Sequence, residues 1–319
     1  MSSSVTVAIP TLDAGPGFAR TLAAVRAQRI DADMELLVCD SGSADDTVAL
    51  ARAHGAHVIQ IARAEFSHGG TRNLLMSRAA GDHVAFLTQD AVPDGEGWLA
   101  ALVAAFTLAP DVGLAFGPYR PRPEASIMVR RELTGWFQSF SIDGRPRIDA
   151  LDPARRDVAP SAFMGHLGFF TDANGCVARA AWERVPFRQV AYAEDHLLAQ
   201  DMLRAGYAKV YAPDAAVIHS HDYSAGQWLR RSFDEARAVR EVYGWALAPR
   251  AAVRNVRGGI AGDWRWARAA SNAPGARGTS LLVASALHHA ARAAGGLLGG
   301  HAHRLPPALV ARLSLEGRA

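Results

Sequence analysis

The segment Val84-Ala85-Phe86-Leu87-Thr88-Gln89-Asp90-Ala91-Val92-Pro93 carries a short apolar run into a carboxylate and is then stopped by proline. Such a run, bounded by turn formers, predicts a buried strand over Val84 to Leu87. Asp90 then stands just beyond the strand's carboxyl end. Two other segments end alike: Met34-Glu35-Leu36-Leu37-Val38-Cys39 runs into Asp40, and the strands from Ala208 through Val217-Ile218 run into His219. In an open α/β sheet the carboxyl ends of the strands form the ligand crevice, so acids and imidazoles delivered there face a ligand. Carboxylates with an imidazole suit a divalent cation that holds phosphates.

On either side of this segment, strand and helix patterns alternate. Strands are predicted at Val5 to Ile9, Glu35 to Cys39, His57 to Ile61, Val84 to Leu87 and Val112 to Phe116, with helices between them. That alternation predicts an α/β fold, a doubly wound, mostly parallel sheet with helices on both faces. Residues 121 to 160, rich in Arg, Asp and Pro, read as a helix with long loops. Regular patterning returns near Phe169, and a helix over Glu194 to Ala205 stops at Gly206. From Gln227 onward the pattern is helical, with breaks expected near Pro249, Gly258-Gly259 and Pro274-Gly275. The expected division is a catalytic domain over 1–227 and a basic helical extension over 228–319.

Hydrophobic residues make up 50% of the 319 and charged residues 20%, as in a soluble globular chain with a real core. The net charge of +3 conceals an asymmetry. Residues 1–227 carry 20 Lys and Arg against 26 Asp and Glu, whereas residues 228–319 carry 14 against 5. The basic excess of the last third suits either a solvated helical face or an anionic surface. Only Cys39 and Cys176 are present, which excludes a disulfide framework and reads as two buried thiols. A strand pattern from Val5 in place of a signal sequence gives a cytoplasmic expectation. The most apolar late stretch, Leu281 to Gly300, is interrupted by Ser285, His288, His289 and Arg292, so it is not expected to span a membrane.

Asp40-Ser41-Gly42-Ser43 followed by Asp45-Asp46-Thr47 combines a flexible turn with acceptors suited to a base and ribose, although helix capping alone accounts for Asp45, Asp46 and Thr47. No dinucleotide fingerprint or P-loop follows the first strand, where Pro10-Thr11-Leu12-Asp13 stands instead. The helix start Gly69-Gly70-Thr71-Arg72-Asn73 offers backbone N–H groups and a guanidinium to an anion, or is a structural turn. Glu194-Asp195 opens a helix whose dipole favours an ionised carboxylate, available as a base or present only as helix charge. His219-Ser220-His221 offers imidazole nitrogen to a metal, unless His219 is an ordinary core or surface histidine.

In their order, Ala8-Ile9-Pro10-Thr11, Val38 to Thr47, Phe66 to Asn73, Thr88-Gln89-Asp90-Ala91, Asp172-Ala173-Asn174, Ala193-Glu194-Asp195 and His219 to Ser224 give the chain a family likeness. From residue 5 to about 235 it resembles the inverting nucleotide-sugar glycosyltransferases of family two, with the GT-A fold, and most closely their rhamnosyltransferase-like members. The resemblance implies a nucleoside pocket lined by Pro10, Thr11 and Asp13, with Asp40 on the nucleobase and Ser43, Arg72 and Gln89 also on the donor. It implies a Mg2+ or Mn2+ ion bridging the diphosphate from Asp90 and His219, Asp195 as catalytic base, and an acceptor near Asp172, Asn174 and Glu194. The family's Asp-x-Asp signature reads Thr88-Gln89-Asp90 here, a departure familiar among the rhamnosyltransferase-like members.

Sugar transfer of this kind needs a neutralised diphosphate leaving group and a base for the acceptor hydroxyl. The expected activity is therefore inverting transfer from a nucleotide-diphosphate sugar, with dTDP-rhamnose as the donor, to a glycan or lipid-linked acceptor in surface polysaccharide synthesis. Trp136, Phe137, Phe140 and Phe163 are candidates either to stack on a sugar or to fill the core. A nucleotidyltransferase and a non-catalytic sugar-nucleotide or glycan-binding protein are the alternatives. The tail, with Trp228, Trp245, Trp264 and Trp266, reads either as helices packed on the catalytic domain or as a peripheral contact with the inner face of an anionic membrane. No nucleic-acid partner is expected.

Overall fold

The computed structural model describes residues 4–269 and 279–315. The break expected near Pro274-Gly275 lies outside them. Eleven strands occur among the described residues: β1 (Ser4–Thr11), β2 (Asp33–Asp40), β3 (His57–Gln60), β4 (His83–Leu87), β5 (Val92–Pro93), β6 (Val112–Phe116), β7 (Tyr119–Arg120), β8 (Arg147–Asp149), β9 (Asn174–Ala178), β10 (Ala208–Tyr211) and β11 (Val217–Ile218). The helices are α1 (Phe18–Arg26), α2 (Thr47–Ala53), α3 (His68–Arg78), α4 (Trp98–Ala104), α5 (Ile127–Gln138), α6 (Arg179–Trp182), α7 (Glu194–Ala205), α8 (Ala225–Tyr243), α9 (Pro249–Ala269), α10 (Thr279–Gly299) and α11 (Pro307–Leu313).

Eight strands form one sheet in the order β3-β2-β1-β4-β9-β6-β10-β8, and β5, β11 and β7 form a second, small one. The apolar runs of β1, β2, β4 and β6 are buried on both faces, as expected of strands sandwiched between helices. β1 pairs in parallel with β2 and β4, and β6 in parallel with β10. Two strands run the other way: β9 is antiparallel to both β4 and β6, and the short edge strand β8 is antiparallel to β10. The irregular Arg- and Pro-rich pattern of residues 121 to 160 had hidden β8.

The reversal of β9 matters for function, because its register sets Asn174 opposite Leu87, at the carboxyl end of β4. The residues just before β9 therefore arrive at the same edge of the sheet as Thr11, Asp40 and Asp90. Phe137, Phe140, Phe163 and Phe170 are buried, and Phe140 packs its ring against Phe116 and Tyr211. They fill the core, which leaves Trp136 as the one half-exposed ring of the proposed sugar platform. Cys39 and Cys176 are buried, and burial pushes the Cys39 thiol up to about 11.

Contacts divide the chain into two compact units: residues 4–120, 136–159 and 163–219 in one, and residues 121–135, 160–162 and 220 onward in the other. The helical unit thus begins a little before the expected boundary at 227 and takes in the start of α5. Within it α10 packs on α8 and α9, and Ile127, Met128 and Leu281 form a small core with Trp266. Helix α9 runs unbroken through Gly258-Gly259, contrary to the expected break. Gly259 serves a close approach inside the helix: the His289 ring lies where a Cβ on residue 259 would project. His289 Nε2 meets Asp263 at 2.8 Å, and Arg131 and Ser285 also donate to that carboxylate, each at 2.5 Å. Burial alone would raise the Asp263 carboxyl, but these bonds outweigh it and hold it at about 2. No helix among the described residues is long and apolar enough to cross a membrane.

Candidate active site

The carboxyl ends of β1 and β2 are joined by side chains that saturate one another. Asp40 is fully buried, and its carboxylate accepts from Thr11 Oγ1 at 3.2 Å, from the Gly42 and Ser43 N–H groups at 3.1 and 3.0 Å, and from Ser43 Oγ at 2.5 Å. Ser43 Oγ in turn accepts from the Asp13 N–H at 2.8 Å, and Asp13 accepts from the Ala44 N–H at 2.8 Å. Asp45 accepts from the Gly15 and Thr47 N–H groups. Thr11, Asp13, Asp40 and Ser43, expected to meet a nucleoside, are thus brought together, with Pro10 half-buried beside them. Three of the Asp40 bonds hold the turn after β2, and the fourth ties it to Thr11 at the end of β1.

Gln89, the middle residue of Thr88-Gln89-Asp90, is bound to the loop after β1. Its side-chain oxygen accepts from the Leu12 N–H at 2.9 Å and its amide donates to the Leu12 carbonyl at 3.1 Å. Only a group that both donates and accepts can clamp one residue's backbone in this way. The next residue, Asp90, is partly exposed, and its carboxylate lies 3.5 Å from His219 Nδ1. His219 is held by its N–H, which donates to the Arg120 carbonyl at 2.9 Å, and by the Tyr119 ring at 5.0 Å. Asp90 and His219, on β4 and β11 exits separated by more than a hundred residues, are therefore neighbours.

The second group of residues surrounds the start of α7. Arg72 on α3 is buried, pairs with Asp172 through Nε and Nη2, the latter at 2.7 Å, and lies 3.0 Å from Glu194. The guanidinium expected to bind a donor anion has instead two protein carboxylates as its anions. Glu194, also buried, lies 3.7 Å from His68 Nδ1. Asn73 donates to the Phe187 carbonyl at 2.8 Å and accepts from the Phe187 N–H at 3.0 Å and from Trp182 Nε1 at 2.8 Å. A Cβ at Gly69 would collide with the Arg188 carbonyl. The segment from Gly69 to Asn73 thus grips the loop that leads into α7. The sequence signal for this was its two glycines followed by Arg-Asn, which local reading assigned to a ligand.

Helix α7 is introduced by Ala193 in the left-handed region, φ 64°, a costly conformation for a residue with a Cβ. Three carboxylates, Asp172, Glu194 and Asp195, share one guanidinium there. Burial, and next the charge of Glu194, push Asp195 up to about 7, against the pull of Arg72 and the His196 N–H that donates to it at 2.8 Å. Burial raises the Asp172 carboxyl too, despite its guanidinium partner. The helix dipole had suggested a fully ionised Asp195; desolvation outweighs it. The result is an acid able to take and release a proton near neutral pH.

Asn174 does not face this crevice. It is fully buried, accepts from Trp98 Nε1 at 2.7 Å and donates to the Ala215 and Pro118 carbonyls at 2.8 and 3.2 Å. Its amide joins β9 to the loops beside it. Sequence reading also passed over Lys209, a buried lysine in the apolar strand β10. It lies 3.2 Å from Asp149 and donates to the His166 and Phe169 carbonyls at 2.6 and 2.7 Å.

Residues 6–168 match a family described as Glycosyl transferase family 2. An O-antigen chain rhamnosyltransferase of Salmonella typhimurium is 31% identical over 238 residues, covering 72% of this chain and 70% of that protein. A second, from Salmonella anatum, is 28% identical over 239 residues with the same coverage. Among solved structures, a mannosyltransferase from Pyrobaculum calidifontis in complex with GDP-Man and Mn2+ superposes with a TM-score of 0.57 at 18% identity, covering 94% of this chain and 87% of that one. Glucosyl-3-phosphoglycerate synthase from Mycobacterium tuberculosis, with Mn2+, UDP and glucosyl-3-phosphoglycerate, gives 0.51 at 18% identity over 77% and 82% of the two chains. The mostly parallel sheet, the acids at its carboxyl edge and these likenesses agree: the chain belongs to glycosyl transferase family 2 and is a rhamnosyltransferase-like glycosyltransferase of GT-A-type fold.

Proposed function

We propose that the protein transfers a sugar with inversion of configuration from a nucleotide-diphosphate donor, dTDP-rhamnose, to a glycan or lipid-linked acceptor of a surface polysaccharide, with Asp195 as the base. The observation that carries this reading is Asp195 itself, raised to about 7 on a helix start fixed by Arg72 and Asn73. An acceptor hydroxyl is a poor nucleophile at neutral pH. As its oxygen bonds to the anomeric carbon, its proton passes to the Asp195 carboxylate and the bond from that carbon to the diphosphate breaks. Attack from the face opposite the leaving group inverts the centre. The rhamnosyl donor is inferred from the two Salmonella relatives, whose names describe rhamnosyltransferases.

A cation fits the residues at the β4 exit. A partly exposed carboxylate and an imidazole nitrogen 3.5 Å apart form a small donor set of the size that leaves room for phosphate oxygens and water. Asp90 and His219 would hold the ion, which when bound neutralises charge on the departing diphosphate. Because Mg2+ takes oxygen ligands almost exclusively, the imidazole tilts the choice toward Mn2+. Pro10, Thr11, Asp13 and Ser43 line the nucleoside end of the donor site, and Asp172 and Glu194 act on the acceptor side by fixing α7 through Arg72. Family membership removes the nucleotidyltransferase alternative.

The test is Asp195→Asn. The amide keeps the shape but cannot accept the proton, so turnover falls by roughly 10²–10⁴ while the dissociation constant for the donor changes little. A variant with more than about a tenth of the parent's turnover would remove Asp195 from this role.

A further inference from the structure

The basic excess of the C-terminal region is not spread evenly. Helix α9 carries Arg250, Arg254, Arg257, Arg265 and Arg268, and all five are exposed. At about 100° per residue they fall within an arc of about 80°, a single stripe along a helix on the order of 30 Å long. The opposite side holds buried Ala252 and Asp263, together with Gly259 under the His289 ring. Asp263, the helix's only acid, is turned away from the stripe and held by Arg131, Ser285 and His289. No carboxylate among the described residues is within ion-pair distance of the five arginines. Exposed Val253 and Trp264 flank the row on one side.

Most of the other tail tryptophans are engaged in the fold. Trp228 lies under the Arg292 guanidinium, 5.2 Å from ring centre to charge, and against His288, and Trp266 packs on the Ile127 cluster. Of the two that remain exposed, Trp245 lines a 660 Å³ cleft between the helices and Trp264 stands beside the arginines.

We infer that this face of α9 is a docking surface for an anionic lipid bilayer, the arginine row lying on the phosphate plane and Trp264 and Val253 entering the headgroup layer. A continuous row of unpaired guanidinium groups is complementary to a surface of phosphates, and a flanking indole and an aliphatic side chain favour an interface with an apolar interior over a fully polar polyanion. The inference needs neither the donor nor the base assignment, although a lipid-linked acceptor would give the attachment its use.

The full chain is mixed with vesicles of phosphatidylglycerol and phosphatidylethanolamine at 3:7, and with vesicles of neutral lipid, without donor or acceptor. Binding is expected only to the anionic vesicles and to weaken steeply with salt. Replacing Arg254, Arg257 and Arg265 together by Gln should lower the partition coefficient about a hundredfold, since each arginine contributes roughly a fivefold gain near such a surface. Trp264→Ala should lower it further with no change in salt dependence. A control variant that loses the same charge from the other unit, with Arg20, Arg52 and Arg78 replaced by Gln, should bind like the parent, and melting temperatures check that all variants fold. Equal loss in the control would mean that only net charge matters and would overturn the assignment. So would no loss in the α9 variant, or tighter binding to duplex DNA than to vesicles at equal phosphate concentration. Since binding is read without turnover, its failure leaves the transferase reading untouched, and the reverse.

Discussion

At the residue scale, Asp195 has two measurable signatures. As a base that must be ionised, it makes kcat/KM rise with pH through an inflection near 7 and level off above it, and Asp195→Asn should abolish that limb. The same shift acts on stability. Its folded value lies above the ordinary carboxylate range, so the folded state holds the proton more tightly and Asp195 costs stability progressively as pH rises from about 4 through 7. The full cost is up to about 4 kcal/mol by the size of the shift, reduced by solvent reaching a partly exposed group. Asp195→Asn is therefore expected to raise Tm by several degrees at pH 8 and by little at pH 4.5, which thermal unfolding at the two pH values would check. Gln89 makes the opposite case. Gln89→Asp sets a second carboxylate beside Asp90 but cannot donate to the Leu12 carbonyl, so we expect it to cost about 1–2 kcal/mol without strengthening metal binding. A tighter Mn2+ affinity in that variant, measured by titration calorimetry, would contradict the clamp.

At the scale of elements, local pattern and tertiary packing divide the work unevenly. The bounds of α7 and of β6 are those the sequence predicts, because an acidic first turn, a terminal glycine and an apolar run are local signals. The direction of β9 was not legible, since an apolar run reads the same in a parallel or antiparallel neighbour. Nor was the purpose of Lys209, which only the assembled sheet sets beside Asp149 and two carbonyls. Lys209→Met keeps the apolar stem but leaves both carbonyl oxygens without this donor and Asp149 with Arg147 alone as its cation. Removing one partner of a buried pair costs up to about 3–5 kcal/mol, an upper bound here because Arg147 remains on Asp149, so denaturant melts should show a lowered midpoint, and an unchanged midpoint would mean that Arg147 alone suffices.

At the scale of the whole molecule, ligand linkage tests the donor and metal assignments together. dTDP at about a hundred times its dissociation constant should stabilise the fold by about 2.7 kcal/mol, read as a higher Tm, with an increment on adding Mn2+ that Asp90→Ala or His219→Ala removes. An increment that survives both substitutions would place the ion elsewhere. From the amino-acid order alone came the α/β class, the strand ends that carry Thr11, Asp40, Asp90 and His219, the helix start bearing Glu194 and Asp195, and the family itself. These follow from short-range patterns, because strand, helix and cap are set by neighbours a few residues away. Which of those groups remain open to a ligand was decided only by the closed chain. Asp40 and Asn174 make hydrogen bonds within the fold, and Arg72 pairs with carboxylates a hundred residues or more further on. Asp195 is moved toward neutrality by desolvation that its own helix start, read in isolation, would have opposed. Partners far apart in sequence, and the loss of water around a charge, exist only once the tertiary structure brings them about.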